Sequence, residues 1–384
     1  GNNGYSPFGS MVNIGAYLYG VCWQGGLFSG GVIFVIDTNG SGFDTLYSFK
    51  SAMGLEPDGS LAYDGTYLYG MTQLGGTYNY GVIFKIKPDG TNFDTLFNFN
   101  GANGEYPLGS LYYDGTYLYG MGSLGGTYNM GNIFKIKPDG TGFDTLYNFS
   151  GTNGKDPEGR LIGDGTYLYG ITPRGGPHNN GYIFKIKPDG TAFDTLKSFS
   201  GANILPGFQL TLAGSYLYGE TQAGGVYNYG NIFKLKTDGT NYDTIFSFNG
   251  LNGAAPNGYL ILLRDSLYGM TGYGGINGDG LIFKSDTNNN LSNATKNISL
   301  IGGSVEVYPN PAKGIFRIFI SNYQMDKIDV KIYNVLGAQV YSEDNIQKSM
   351  FDIDLSEQPN GIYFYKVCLN NRELIAEGKL IIQK

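Results

Sequence analysis

Chemistry needs unlike polar side chains gathered at one place, and this chain offers few. It holds one histidine, His178, and two cysteines, Cys22 and Cys368, among 384 residues. That is too little for a zinc site or a Cys/His nucleophile pair. The cysteines fall in different domains and read as two buried thiols rather than a bridge. No Asp-x-Asp-x-Asp-Gly loop offers ligands to calcium, so neither metal nor cofactor is expected. His178 has Arg174 nearby but no nameable nucleophile or orienting partner, and reads as a surface-loop residue. Glu220 stands where related segments carry Val21, Met71, Met121, Ile171 or Met270, and Arg160 replaces a serine. Two one-off opposite charges suggest a buried ion pair, because a lone buried charge is costly. One recurring set remains: Phe28, Tyr78, Tyr128, His178 and Tyr227, with the amides Asn79, Asn129, Asn179 and Asn228. Aromatic faces beside amides suit sugar rings. A residue repeated this often is more usually structural, so packing between adjacent loops is the preferred expectation.

These residues recur because the chain does. Tyr67-Leu68-Tyr69-Gly70 returns as Tyr17–Gly20, Tyr117–Gly120, Tyr167–Gly170 and Tyr216–Gly219, and degenerately as Ser266–Gly269. A repeat of about 50 residues this regular fixes the architecture first. In the unit 57–106, Pro57–Tyr63 reads as a first strand and Asp64-Gly65-Thr66 as a tight turn. Thr66–Thr72 is a second strand, rich in aromatic and β-branched residues. A Gly75-Gly76 loop leads to a third strand, Gly81–Lys87. A Pro88-Asp89-Gly90 turn leads to a fourth, Phe93–Phe99. Four short strands per repeat with no helical period describe a β-propeller blade, and six repeats predict a six-bladed propeller over 1–290. A flat solenoid is the competing architecture, but the terminal repeats lack polar caps. The meander puts the long Gly/Tyr/Asn loops on one face and the short Asp-Gly turns on the other.

The fourth strand occurs only five times. No Phe-Asp-Thr-Leu follows Leu281-Ile282-Phe283-Lys284, and Gly1–Pro7 aligns with Gly101–Pro107. An unpaired sixth edge is a template for another strand. Three sources are open: the segment 295–301 (Lys296 to Ile301) of the same chain, residues upstream of Gly1, or a strand from another copy. The last would build head-to-tail fibres by β-augmentation.

Composition sets the outer bounds. Net charge is -7 with a pI near 4.8, a poor match for nucleic acid or anionic membranes. No apolar run approaches the roughly 18 residues of a transmembrane segment. The chain starts Gly1-Asn2-Asn3-Gly4, with neither initiator Met nor signal peptide. After residue 290 the glycine density falls. A linker over 291–303 and a small Ig-like β-sandwich over 304–384 are expected.

The repeats resemble the GloVer tandem-repeat family through the Tyr-Leu-Tyr-Gly strand, the Gly-Gly loop, Ile-Phe-Lys and the Asp-Gly-Thr turn. The resemblance implies an extracellular repeat protein. Tyr308-Pro309-Asn310-Pro311, Tyr333-Asn334-Val335-Leu336-Gly337, Pro359–Tyr363 and Gly378-Lys379-Leu380-Ile381-Ile382-Gln383-Lys384 are similar to the type A C-terminal sorting domain of type IX secretion cargo. That likeness implies export across a Gram-negative outer membrane by the type IX machinery, with Gly378, Lys379 and Lys384 in the sorting signal. Asp44-Thr45-Leu46 and its copies resemble a bacterial O-glycosylation motif, which would mark Thr45, Thr95, Thr145, Thr195 and Thr244. A plain outer-strand pattern without sugar is preferred.

The expected function is therefore that of a non-enzymatic surface or extracellular protein that binds or assembles with copies of itself. A carbohydrate-binding adhesin comes next, and a polysaccharide-active enzyme third.

Overall fold

A computed structural model describes residues 3–201, 204–264, 266–275, 278–286, 298–301, 305–320, 327–369 and 373–384. The second repeat shows how the sequence makes its sheet. Leu55–Tyr63, Leu68–Leu74, Val82–Ile86 and Asp94–Asn98 pair antiparallel in chain order. Asp64 closes the first turn: its Oδ1 accepts the N–H groups of Thr66 and Tyr67 (2.7 Å each), and its Oδ2 accepts the Tyr69 hydroxyl at 2.7 Å. The same bonds recur at Asp114 and Asp164. Asp89 closes the second turn by accepting the N–H and hydroxyl of Thr91.

Six such sheets follow one another. Their innermost strands begin at Tyr5, Leu55, Tyr112, Ile162, Leu205 and Ala254. The sixth departs slightly, because Ala254–Pro256 and Ile261–Leu263 both pair with Ser266–Tyr273. Its outer place is filled by Ile298–Ile301, which runs antiparallel along Leu281–Asp286 with Phe283 opposite Leu300. The chain thus covers its own edge, and the backbone groups that a donated strand would need are already paired. This removes the expected fibre-building route. Lys296 and Asn297 lie outside the described residues, as does most of the expected linker 291–303.

Neighbouring sheets pack face to face. Tyr69, Met71, Ile83 and Phe99 of the second sheet bury against Leu111, Leu118, Phe134 and Ile136 of the third. Equivalent residues join the first to the second, the third to the fourth, the fourth to the fifth and the fifth to the sixth. Stacked rings reinforce three of these contacts: Tyr47–Phe93 at 3.7 Å, Phe97–Phe143 at 3.8 Å and Tyr147–Phe193 at 3.9 Å. The innermost strands converge. Ser60 Oγ accepts the N–H of Ser10, and Ser110 Oγ that of Ser60, each at 2.7 Å. A Cβ on Gly59 would overlap the Gly109 carbonyl, so this approach requires glycine. From the sixth sheet, the Tyr259 hydroxyl reaches both Ser110 Oγ (2.7 Å) and Ser60 Oγ (3.2 Å). The series therefore curves about a common axis and is not a flat solenoid.

The ring expected from the sequence needs a sixth interface, from the last sheet to the first, and among the described residues that interface is not packed. Met270 is 56% exposed and Ile282 48%, whereas Met71 is 1% and Ile83 0%. Across the gap Met11 is 52% exposed, against 5% for its counterpart Leu61.

The C-terminal region forms two further antiparallel sheets. One orders Val305–Tyr308, Ile315–Ile320 and Met350–Asp354; the other orders Gln339–Ile346, Ile328–Asn334, Gly361–Leu369 and Glu373–Ile382. Their alternating apolar residues, among them Phe316, Ile318, Ile332, Ile353, Val367 and Leu380, form one core. Cys22 is buried and Cys368 half-buried, and both are free thiols. No helix among the described residues is long and apolar enough to cross a membrane.

Candidate functional site

The loops between second and third strands are braced by the loops that enter each repeat. The N–H of Gly76 bonds to Ser51 O, that of Gly126 to Gly101 O and that of Gly176 to Gly151 O, each at 2.8 Å. The next repeat's entry loop ties back in turn: Tyr106 N–H to Tyr80 O at 3.1 Å and Asp156 N–H to Met130 O at 3.1 Å. Both long loop sets thus share one face, as the meander requires.

On that face the recurring set divides. The amides are structural. Asn79, Asn129, Asn179 and Asn228 all adopt positive φ. Each Oδ1 accepts the N–H of its own loop glycine, at 3.0 Å from Gly75 and Gly125 and 3.2 Å from Gly175 and Gly224. Asparagine suits this place because it tolerates left-handed backbone and closes the loop at once. The rings do not pack between loops, contrary to expectation: Phe28, Tyr78, Tyr128 and Tyr227 are 56–58% exposed. The locked loops stand them outward. His178 is also exposed. Arg174 turns away from it to Asp156, with Nη1 at 3.2 Å from Oδ2.

The axis holds polar residues that the sequence reading missed. Asp58 and Glu158 occupy the same place in their repeats, between a proline and a glycine; Leu108 and Asn257 stand there in others. Burial pushes the Asp58 carboxyl up to about 6, against the lowering effect of the Gly59 and Gly109 N–H groups. Burial pushes Glu158 up to about 7; Arg174 lowers it, while Asp156 and Asp58 raise it further. Two residues further along the chain in each repeat lie Ser60, Ser110, Arg160 and Tyr259. The signal was available: a position otherwise free to vary, turned acidic twice in the segment that leads into or forms the innermost strand. Among the described residues no group of three or more His, Cys, Asp or Glu side chains could hold a metal ion.

The expected Arg160–Glu220 ion pair does not form. Glu220 lies wholly within the packing of the fifth sheet, its Oε1 without a partner. Burial pushes its carboxyl up to about 8, the Gly258 N–H opposing the shift. Arg160 lies instead over the Tyr112 ring, 5.9 Å from its centroid, with its Nε unpartnered. Arg160 lies over Tyr112 and Glu220 against the Gly258 N–H, so the two charges do not meet.

The outer-strand threonines also divide. Thr195 and Thr244 are exposed, whereas Thr95 and Thr145 are half-buried. Thr45 Oγ1 is enclosed without a partner and offers no attachment point. In the C-terminal sheets Asn310 fastens the last strand: its Nδ2 donates to Lys379 O at 2.7 Å, and its Oδ1 accepts the Ile381 N–H at 2.9 Å. A Cβ on Gly378 would meet the Tyr365 ring at 2.6 Å. Lys384 Nζ donates to the carbonyls of Ser356 and Gln358. The terminal motif is therefore folded into the sheet.

Several solved structures share the fold at low identity. The oligogalacturonate lyase of Vibrio parahaemolyticus superposes with a TM-score of 0.51 at 12% identity, over 78% of this chain and 77% of that one. A puromycin-hydrolyzing peptidase of Mycobacterium tuberculosis gives 0.50 at 12% identity, over 82% of this chain and 50% of that one. A prolyl endopeptidase gives 0.49 at 12%, over 83% of this chain and 47% of that one. The chain spans about half the length of both peptidases, and at this identity the likeness shows fold alone. No curated protein matches the chain. The secretion system C-terminal sorting domain model matches residues 306–383, which marks the chain for type IX secretion to the cell surface or extracellular space. The Gloeobacter/Verrucomicrobia repeat model matches residues 1–180 and 163–314, so the chain belongs to that repeat family.

Proposed function

We propose that this is a non-enzymatic, secreted binding protein: a β-propeller-type repeat domain that holds neutral glycans on its loop-rich face, followed by an Ig-like sandwich that serves export. The observation that carries the reading is the row of exposed rings at Phe28, Tyr78, Tyr128 and Tyr227, the last three on loops closed by an asparagine side chain. Rigid, outward aromatic faces suit stacking on the apolar faces of sugars, at little entropic cost. A net charge of -7 disfavours polyanionic glycans and leaves neutral ones as the better match. The test is calorimetric titration of the full chain with cello-, xylo- and manno-oligosaccharides. Saturable heat that disappears in the Tyr78→Ala/Tyr128→Ala variant supports the reading; heat unchanged in that variant removes the rings from it.

One observation favours catalysis instead: two acids at the same place in their repeats, Asp58 and Glu158, raised by burial to about 6 and about 7, span the range useful for proton transfer near neutral pH. Product release from the same oligosaccharides, lost in Glu158→Gln with binding intact, would establish this second reading.

A further inference from the structure

The two uncovered faces at the ends of the series are not generic apolar patches. The interfaces between the second and third, third and fourth, and fourth and fifth sheets each join one face bearing Tyr, Met or Ile, Ile and Phe to another bearing Leu, Leu, Phe and Ile or Leu. The last sheet presents Tyr268, Met270 and Ile282, the first kind of face, with Tyr268 half-buried under Lys284 and Met270 and Ile282 about half exposed. The first sheet carries Met11, Leu18, Phe34 and Ile36, the second kind: Met11 is uncovered, Leu18 and Ile36 are half-buried, and Phe34 is covered by Phe43 of its own repeat. They are the two halves of an interface that the chain itself makes elsewhere.

We infer that these faces bound the place of one more blade, and that its occupant is a partner sheet of this same repeat type. The axis supports a seventh place. In a six-place ring the sixth sheet faces the third alone. In a seven-place ring it faces the boundary between the second and third. Tyr259 bonds to Ser60 of the second and Ser110 of the third, astride that boundary. Propellers of four-stranded blades accommodate such a number. The occupant is a single four-stranded unit, because it must offer the Leu-type face to Met270 and the Tyr/Met-type face to Met11. A whole second copy would bring its adjoining sheets into a gap one blade wide.

Methionine oxidation reads this directly, since exposed thioethers oxidise and buried ones are shielded. In the 384-residue chain, measured as a monomer, Met11 and Met270 should form sulfoxide on the order of tenfold faster than buried Met121. A second protein carries an extra copy of residues 51–100 ahead of Gly1; Gly1–Gly4 aligns with Gly101–Gly104, so the phase is kept. There both methionines should slow to the Met121 rate. Placing Ile83→Asp in the added unit alone should restore Met11 oxidation, because that residue faces the first sheet. Three results would overturn the inference. Protection in the unextended monomer would mean the ring closes on itself. Protection that appears only as the unextended chain is concentrated would make the occupant a second copy. Undiminished oxidation in the extended chain would mean the gap does not take a blade.

Discussion

Gly120 and Phe134 stand opposite each other in the third sheet, and a Cβ on Gly120 would lie 2.5 Å from Phe134 Cζ. The phenyl ring occupies the space a side chain would take. The same overlap recurs at Gly20/Phe34 (2.6 Å) and Gly170/Phe184 (2.5 Å). This contact ties the Tyr-Leu-Tyr-Gly strand to the Ile-Phe-Lys strand, and fixes their register. Gly120→Ala should cost about 1–3 kcal/mol, as overpacked cores do. The double variant with Phe134→Leu should recover part of the loss. Urea unfolding of the three proteins measures both effects.

Glu220 should make stability fall as pH rises. Its folded carboxyl titrates at about 8, and an unfolded glutamate near 4.3. Between those values the folded state holds a proton that the unfolded state has released, so stability is highest below about pH 4.3 and declines until about pH 8. Glu220→Gln should flatten that decline. Glu220→Met, which restores the residue found at Met71 and Met121, should raise stability at pH 8 by about 1–3 kcal/mol. Thermal unfolding across pH 5–9 checks the slope.

Asp64 should act in the opposite sense at the acid end. Burial raises its carboxyl, but the Tyr67 N–H, the Tyr69 hydroxyl and the Thr66 N–H outweigh burial and hold it below the usual range. Its contribution is present above the unfolded value near 3.9 and is lost as pH falls through the lower folded value. Asp64→Asn should weaken the acid-side loss and cost about 1–3 kcal/mol at pH 7. The urea midpoint followed from pH 7 to pH 3 in both proteins measures it.

The repeating framework was legible because its causes are local. Glycine opposite phenylalanine, Asp-Gly turns and β-branched strands each leave a mark at a fixed spacing. What the sequence hid depends on neighbours. Met270 looks like Met71 as a residue, and only the absence of a packed sheet distinguishes them. Arg160 and Glu220 looked like partners because both were unusual, but the fold sets one over Tyr112 and the other towards Gly258. Asp58 and Glu158 sat inside a strand motif whose proline and glycine drew the eye. The tyrosine loops were recognised, yet whether the rings pointed outward depended on the Asn79 and Asn129 bonds, which spacing alone does not reveal.

The exposed rings of the loop-rich face are proposed to hold a glycan. Calorimetric titration of the full chain and of Tyr78→Ala/Tyr128→Ala with neutral oligosaccharides tests it most directly. Both rings are exposed, so the variant should keep wild-type stability within about 0.5 kcal/mol and lose the binding heat. Equal binding by the two proteins, or no binding by either, would contradict the claim.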